Sequence, residues 1–263
     1  MQLISKTIIL TGAASGIGQT LLMYLAQYNT TIIAVDINET QLRNTIQQLG
    51  DTQAKIISCI ANLTQQVDVD RVFDITYQHT DHIDIFIANA GFAYYEKIDG
   101  ADWQHIERIY QLNTISPLYS ALKMAQQGRP YKVVITASAM AHWALSGYAL
   151  YSSTKAALHS FATAYREEIG DPNSLMLVYP IATRTSFFDA AAKNTAPTPF
   201  PSQTAEYVAN RIIKGIEADK KAVYPSLIFI VAKFLNRFLP IQWINHQLES
   251  ARFKRWLAQS SSK

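Results

Sequence analysis

The segment TGAASGIG, residues 11–18, constrains this chain more than any other. It follows a short apolar run, KTIIL at residues 6–10, and opens a segment with helical apolar periodicity that continues to Tyr28. Apolar run, glycine turn and helical periodicity in that order read as strand, loop and helix. Gly12 permits a sharp turn, and Gly16 and Gly18 leave room for backbone and helix to approach a ligand. Ser15 and Ile17 lie between them, where the helix starts. A helix that opens off such a loop presents unpaired N–H groups and a positive dipole end, which suits a pyrophosphate. The spacing is GxxxGxG, not the commoner GxGxxG. A second apolar run, residues 31–35, ends in Asp36, at the distance where a carboxylate meets adenosine ribose hydroxyls.

A second constellation carries acid–base chemistry. Tyr151 and Lys155 are four residues apart, on one face of an expected helix, and Ser138 lies thirteen residues upstream of Tyr151. A fixed ammonium favours phenolate and is expected to lower the tyrosine's pKa from its usual value near ~10. The serine hydroxyl is placed to hold the oxygen on which a proton is exchanged. A Tyr-x3-Lys pair alone is common on helices, so its meaning depends on the cofactor loop.

Together these residues resemble the short-chain dehydrogenase/reductase family, from about residue 5 to about residue 225. The family's TGxxxGxG motif is met by Thr11, Gly12, Gly16 and Gly18. Its NNAG turn matches Ala88, Asn89, Ala90 and Gly91, with alanine for the first asparagine. Its helix asparagine matches Asn113, and its serine, tyrosine and lysine match Ser138, Tyr151 and Lys155. Its PGxxxT segment matches Pro180, Thr183 and Thr185, with Ile181 in place of glycine. The adenine-side Asp-Val or Asp-Leu pair is here Asn62-Leu63. The resemblance implies that Tyr151 is the general acid/base and that Ser138 orients substrate oxygen. It further implies that Lys155 binds the nicotinamide ribose and that Asn113 supports a proton relay through water. The cofactor set it implies is Gly12, Ser15, Gly16, Ile17, Gly18, Asp36, Asn62, Leu63, Asn89, Ala90, Gly91, Tyr151, Lys155, Pro180, Thr183 and Thr185. The implied enzyme is an NAD(P)-dependent dehydrogenase/reductase acting on CH–OH groups. Its competitor is a nucleotide sensor that keeps the fold without turnover.

Asp36 favours NAD(H) over NADP(H), because a carboxylate accepts from the 2′-hydroxyl and repels a 2′-phosphate. Ile181 is expected to reshape the substrate site. Trp143, Tyr148 and Phe187, with Leu145 and Phe188, are candidate pocket walls, and Arg184 a candidate for an anionic group. Tyr148 stands seven residues before Lys155, the spacing of the family's enoyl reductase branch, so it is a rival to Tyr151. Prolines 197, 199 and 201 favour a loop, a substrate flap over about 185–204.

At 263 residues and 49% hydrophobic content the chain suits one α/β domain, a Rossmann-like doubly wound parallel sheet with helices on both faces. That domain is expected over residues 1–225, with a C-terminal amphipathic helical extension over 226–263. Helices are expected over 39–49, 65–79, 101–127 (interrupted by Pro117) and 148–169, and strands over 55–60, 83–88, 131–137 and 174–179. Pro117 frees a carbonyl near Asn113. The single Cys59 excludes an internal disulfide, and no Cys/His cluster suggests a metal. The first strand begins almost at residue 1, which leaves no room for a signal peptide and makes the cytoplasm the expected location.

Residues 233–263 carry six Lys/Arg and one Glu, a net of +5 in a chain of +3, so the remainder is about −2. With Phe234, Phe238, Trp243, Phe253 and Trp256, this tail fits a helix on an anionic inner-membrane surface. A tail packed on its own domain or at a subunit interface fits as well. Expected partners are a small-molecule substrate and, by resemblance, a second copy or a tetramer formed through the helices at 101–127 and 148–169. Nucleic acid is not expected, since no recognition motif accompanies the charge.

Overall fold

The computed structural model describes residues 1–187, 191 and 201–260. Its apolar runs form one parallel sheet from β1 (Thr7–Thr11), β2 (Thr31–Asp36), β3 (Lys55–Ile60), β4 (Ile85–Ala88), β5 (Lys132–Thr136), β6 (Leu175–Val178) and β9 (Ala222–Val223). The strand order is β3-β2-β1-β4-β5-β6-β9. Strands covered on both faces need apolar residues at every position, and here alternate residues feed two cores. In β1, Ile8 and Leu10 join one core and Ile9 the other. The first core is closed by Leu21, Leu22 and Leu25 of α1 (Gly16–Leu25), Leu42 of α2 (Glu39–Gln48) and Val208 and Ile212 of α7 (Ala205–Glu217). The second takes Phe73 of α3 (Gln66–Tyr77), Met124 of α5 (Ser116–Ala125) and Leu158 of α6 (Ala149–Tyr165). This is the expected doubly wound sheet.

The sheet order reverses beside β1, between the β2 side and the β4 side, and a crevice lies beyond the strand ends there. β1 runs into the glycine loop, β4 into Asn89, β5 towards Ser138 and β6 towards Pro180. Four motifs far apart in sequence thus meet at one edge.

The expected helix over 101–127 is three pieces: α4 (Trp103–Tyr110), a π turn at Gln111–Ile115, and α5. Pro117 has no N–H for the Asn113 carbonyl four residues back, and the turn widens so that Ser116 N–H reaches the Gln111 carbonyl instead. The expected flap is bounded by strands. β7 (Ala182–Arg184) pairs in parallel with β8 (Ser202–Thr204), so each end of the segment is held. Phe188, Pro197 and Pro199 lie outside the described residues.

The expected helical extension is two helices, α8 (Leu227–Leu235) and α9 (Ile241–Ser260). Pro240 ends the first, and the Asn236 side chain accepts from Gln242 N–H at 2.7 Å across the break. The pair packs on the body of the fold. Phe253 and Trp256 stand 5.4 and 4.7 Å from the Tyr95 ring, centroid to centroid, and Ser250 bonds Ser146 at 2.8 Å. Gly147, at φ +85°, makes the seat possible: a Cβ there would fall 2.4 Å from Tyr95 and 2.9 Å from Phe253. From α8, Phe229 meets Trp143 edge-on at 5.1 Å, and Lys233 Nζ lies 3.2 Å from His142 Nε2. No helix among the described residues is long and apolar enough to cross a membrane.

Candidate active site

The glycine loop is shaped by backbone contacts that a side chain would break. Gly12 has φ +68°, and a Cβ on it would meet Ala90 Cα at 3.0 Å. A Cβ on Gly18 would fall 1.8 Å from the Gly12 carbonyl oxygen, so helix and loop touch through glycine alone. Gly16, at φ +54°, faces the Thr185 side chain. The Thr11 hydroxyl binds the neighbouring turn, accepting from Asn89 and Ala90 N–H at 3.0 and 3.1 Å and donating to the Ile87 carbonyl. Asn89 donates to the Thr11 carbonyl and accepts from the Thr136 hydroxyl. Ser15 starts α1 without a side-chain bond to the helix.

Asp36 at the end of β2 is pinned by two main-chain donors. Ala14 N–H meets one carboxylate oxygen at 3.0 Å and Asn38 N–H the other at 3.0 Å. Asn62 spends its side chain on Thr64, accepting from its N–H and hydroxyl, and Leu63 is buried beside it.

Gly12, Ser15, Gly16, Ile17, Asn89, Ala90 and Gly91 form one wall of a cavity of about 260 Å³. Its other walls are Ser138, Tyr151, Lys155, Pro180, Ile181, Thr183, Thr185 and Phe187. The structure therefore brings both motif sets into one space. A glycine-lined cradle ending on an open helix N-terminus fits a dinucleotide's phosphates, and the pinned Asp36 fits its ribose.

Ser138, Tyr151 and Lys155 are all buried. Lys155 Nζ donates to the Thr136 carbonyl at 2.8 Å and lies 5.5 Å from the centre of the Tyr151 ring. Ser138 also caps the short turn after it, accepting from Met140 N–H at 3.1 Å. Burial pushes Tyr151 up to about 12, against a hydrogen bond from Ser138 that lowers it. Burial also brings Lys155 down to about 7. The expected lowering of the tyrosine by the lysine is thus reversed in this cavity. A dry site disfavours phenolate and ammonium alike, and a lysine that is half neutral at pH 7 attracts phenolate weakly.

Asn113 is fully buried in the π turn. Its amide closes on the main chain of Phe92, donating to the carbonyl at 2.8 Å and accepting from the N–H at 3.1 Å. It also donates to the Thr154 hydroxyl at 3.3 Å. A Cβ on Gly91 would come 3.0 Å from Asn113 Oδ1 and 3.7 Å from Lys155 Nζ, so the three are neighbours.

A second cavity of about 220 Å³ shares Ser138, Met140, Ile181 and Ala182 with the first. Its far wall is the extension, through Ile228, Phe229, Ala232, Ile241 and Glu249, and Trp143 and Leu145 complete it. Trp143 is therefore a wall residue of this cavity and Phe187 of the first. Tyr148 lines neither. It lies behind Tyr151, 6.3 Å away ring to ring, and packs at a tilt against Tyr95 at 4.7 Å. Burial raises its pKa strongly. Arg184 is exposed at the end of β7. Sequence reading missed Thr136, which anchors both Lys155 and Asn89, and the α8–α9 wall. Thr136 lies two residues before Ser138 and was within reach of pattern; Phe229 and Glu249 carry no local signal.

Fold and site define a Rossmann-type, nucleotide-binding oxidoreductase. A sequence profile described as short chain dehydrogenase matches residues 6–196, and the chain belongs to that family. It is similar to a hydroxynaphthalene reductase-like protein of Metarhizium guizhouense, 25% identical over 254 residues, which cover 94% of this chain and 93% of that protein. Among solved structures it resembles a short-chain dehydrogenase of Sphingobium yanoikuyae in complex with NADPH (TM-score 0.75, 23% identity, 94% and 93% coverage). It also resembles a bulky-bulky ketone specific alcohol dehydrogenase of Comamonas testosteroni (TM-score 0.69, 24% identity, 94% and 92% coverage). The family's enzymes use NAD(P)(H) and act on small molecules.

Proposed function

We propose that this protein is an NAD(H)-dependent oxidoreductase that interconverts a secondary alcohol and a ketone on a lipophilic small molecule. The observation that carries this reading is the burial of Ser138, Tyr151 and Lys155 in the cavity whose opposite wall is the glycine loop. A nicotinamide dinucleotide, when bound, gives or takes the hydride. Tyr151 gives a proton to the carbonyl oxygen in reduction and takes it back in oxidation. Ser138 holds that oxygen by a hydrogen bond. Burial keeps Tyr151 a phenol at neutral pH, the proton-donating form. Lys155, brought to about 7, exchanges protons near neutrality and is suited to resupply Tyr151. Asn113 fixes the strand exit beside Lys155, and Pro117 denies its carbonyl the usual helix donor, which suits that oxygen to hold a relay water.

Asp36 supports NAD(H), since a carboxylate held by two main-chain donors stays where a 2′-phosphate would have to sit. The apolar second cavity supports a lipophilic substrate, as does similarity to a hydroxynaphthalene reductase-like protein of Metarhizium and a bulky-bulky ketone specific alcohol dehydrogenase of Comamonas. NADH absorbance with a panel of lipophilic ketones and alcohols tests the reading. NADH binding with no turnover across the panel makes the protein a nucleotide sensor instead. Reduction of an activated carbon–carbon double bond that survives Tyr151→Phe transfers the chemistry to Tyr148.

A further inference from the structure

Ten of the 21 large apolar side chains left exposed among the described residues lie between 227 and 248. Single exposed apolar residues are ordinary, whereas a contiguous group marks a surface that something covers. Only Phe229 of α8 is buried; Leu227, Val231, Phe234, Phe238 and Trp243 are each more than half exposed. The cations that accompany them are also exposed. Lys233 turns inward to His142 and Arg252 pairs with Glu249 at 2.6 Å, while Arg237, Lys254 and Arg255 face solvent. Along α9, Ile244, Leu248, Arg252 and Arg255 follow at four-, four- and three-residue steps, so one face passes from apolar to basic.

The charge selects the occupant. Residues 233–263 hold a net +5, and the rest of the chain about −2. Two copies meeting through this face would set like charges against each other. An anionic lipid surface accepts the apolar side chains between its acyl chains and the cations among its headgroups. We propose that the outer face of α8 and α9 seats this protein on an anionic bilayer. Ile228, 64% exposed on that face, also lines the cavity that reaches Ser138, with Ala232 and Ile241. The seated protein thus has a wall of that cavity at the membrane. Entry of substrate by this route rests on the proposed function; the docking does not.

Flotation of the full-length protein with phosphatidylcholine vesicles containing roughly one third phosphatidylglycerol tests the seat. The protein is expected to float with them, and at least about ten-fold less with phosphatidylcholine alone. Phe234→Ser with Phe238→Ser, and separately Arg237→Gln, Lys254→Gln and Arg255→Gln together, are each expected to lower binding by about ten-fold or more, with an unchanged thermal midpoint. Tyr151→Phe is expected to bind as wild type does. Wild-type protein that stays unbound, or the Phe double variant floating as well as wild type, overturns the proposal. So does a dimer in sedimentation velocity that the Phe double variant converts to monomer while vesicles are ignored, because the face then belongs to a second copy. Failed flotation with intact turnover removes the bilayer and keeps the oxidoreductase. Flotation without turnover on any ketone does the reverse.

Discussion

The glycine-loop wall of the first cavity and the α8–α9 wall of the second, which adjoins it at Ser138, are built by opposite means. At the glycine-loop end, position is set by main-chain hydrogen bonds and by the absence of side chains. Thr11, Asn89 and Asp36 each hold backbone groups of a neighbouring loop, and Gly12 and Gly18 touch backbone directly. At the α8–α9 end, position is set mostly by aromatic packing on Tyr95 and Trp143 and by few polar bonds. Main-chain contacts tolerate no change of side-chain volume, whereas apolar packing admits substitutes of similar size. The first end suits an invariant ligand and the second a variable one.

Tyr151→Phe acts where the two ends meet and has the largest expected effect. Turnover should fall about a thousand-fold while NADH binding, read by fluorescence titration, is retained. Full activity in that variant sinks the assignment. Gly18→Ala tests the rigid end alone: with Gly12 oxygen 1.8 Å from the new Cβ, the loop must shift. Calorimetry should record a loss of about 1–3 kcal/mol, and NADH titration a loss of binding.

Lys155→Met separates stability from function. Its pKa falls from 10.5 to about 7 on folding, so between those values the unfolded chain binds more protons and stability rises with pH. Below about 7 the full penalty is present. The variant should be inactive yet more stable at pH 7 by on the order of 1–2 kcal/mol, after the lost bond to Thr136 is counted. That advantage should shrink towards pH 10. Tyr151 works the other way, its contribution present below 10 and lost as pH rises through about 12. A thermal-midpoint profile without the rise above pH 7 contradicts the buried-ammonium account.

Asp36→Ser should weaken NADH about ten-fold and bring NADPH level with it or ahead, as titration of both would show. An unchanged ratio means that Asp36 does not face the ribose. The smallest effect belongs to the apolar end. Phe253→Ala should raise KM for a lipophilic ketone several-fold and leave NADH affinity unchanged. If NADH affinity falls with it, the two ends are not independent.

Most of the sheet was legible because its strands are covered on both faces, so each appears as an unbroken apolar run. β3 was read with the bounds the structure has, and the helix that carries Tyr151 and Lys155 to within a few residues at its end. The glycine loop, Asp36 and Ser138-Tyr151-Lys155 were legible because each requirement is local: a missing Cβ, an acid at a strand end, a spacing on a helix. The pKa direction was not legible, since it depends on how completely the folded chain excludes water from Tyr151 and Lys155. Nor was the second cavity, whose walls come from Trp143 and from α8 and α9, about a hundred residues apart. The helical character of the tail was legible, but the way its two helices are joined was not, since Asn236 holds Gln242 across Pro240 by a contact that periodicity does not register.

Gly147 has a consequence for the order of events during synthesis. With Tyr95 it forms the seat for Phe253, yet that phenylalanine follows it by more than a hundred residues. The strands of the large sheet and the glycine loop all lie between Thr7 and Val223 and are synthesised before α9, Ile241–Ser260. The glycine-lined cradle can therefore take shape before the second cavity has its α9 wall.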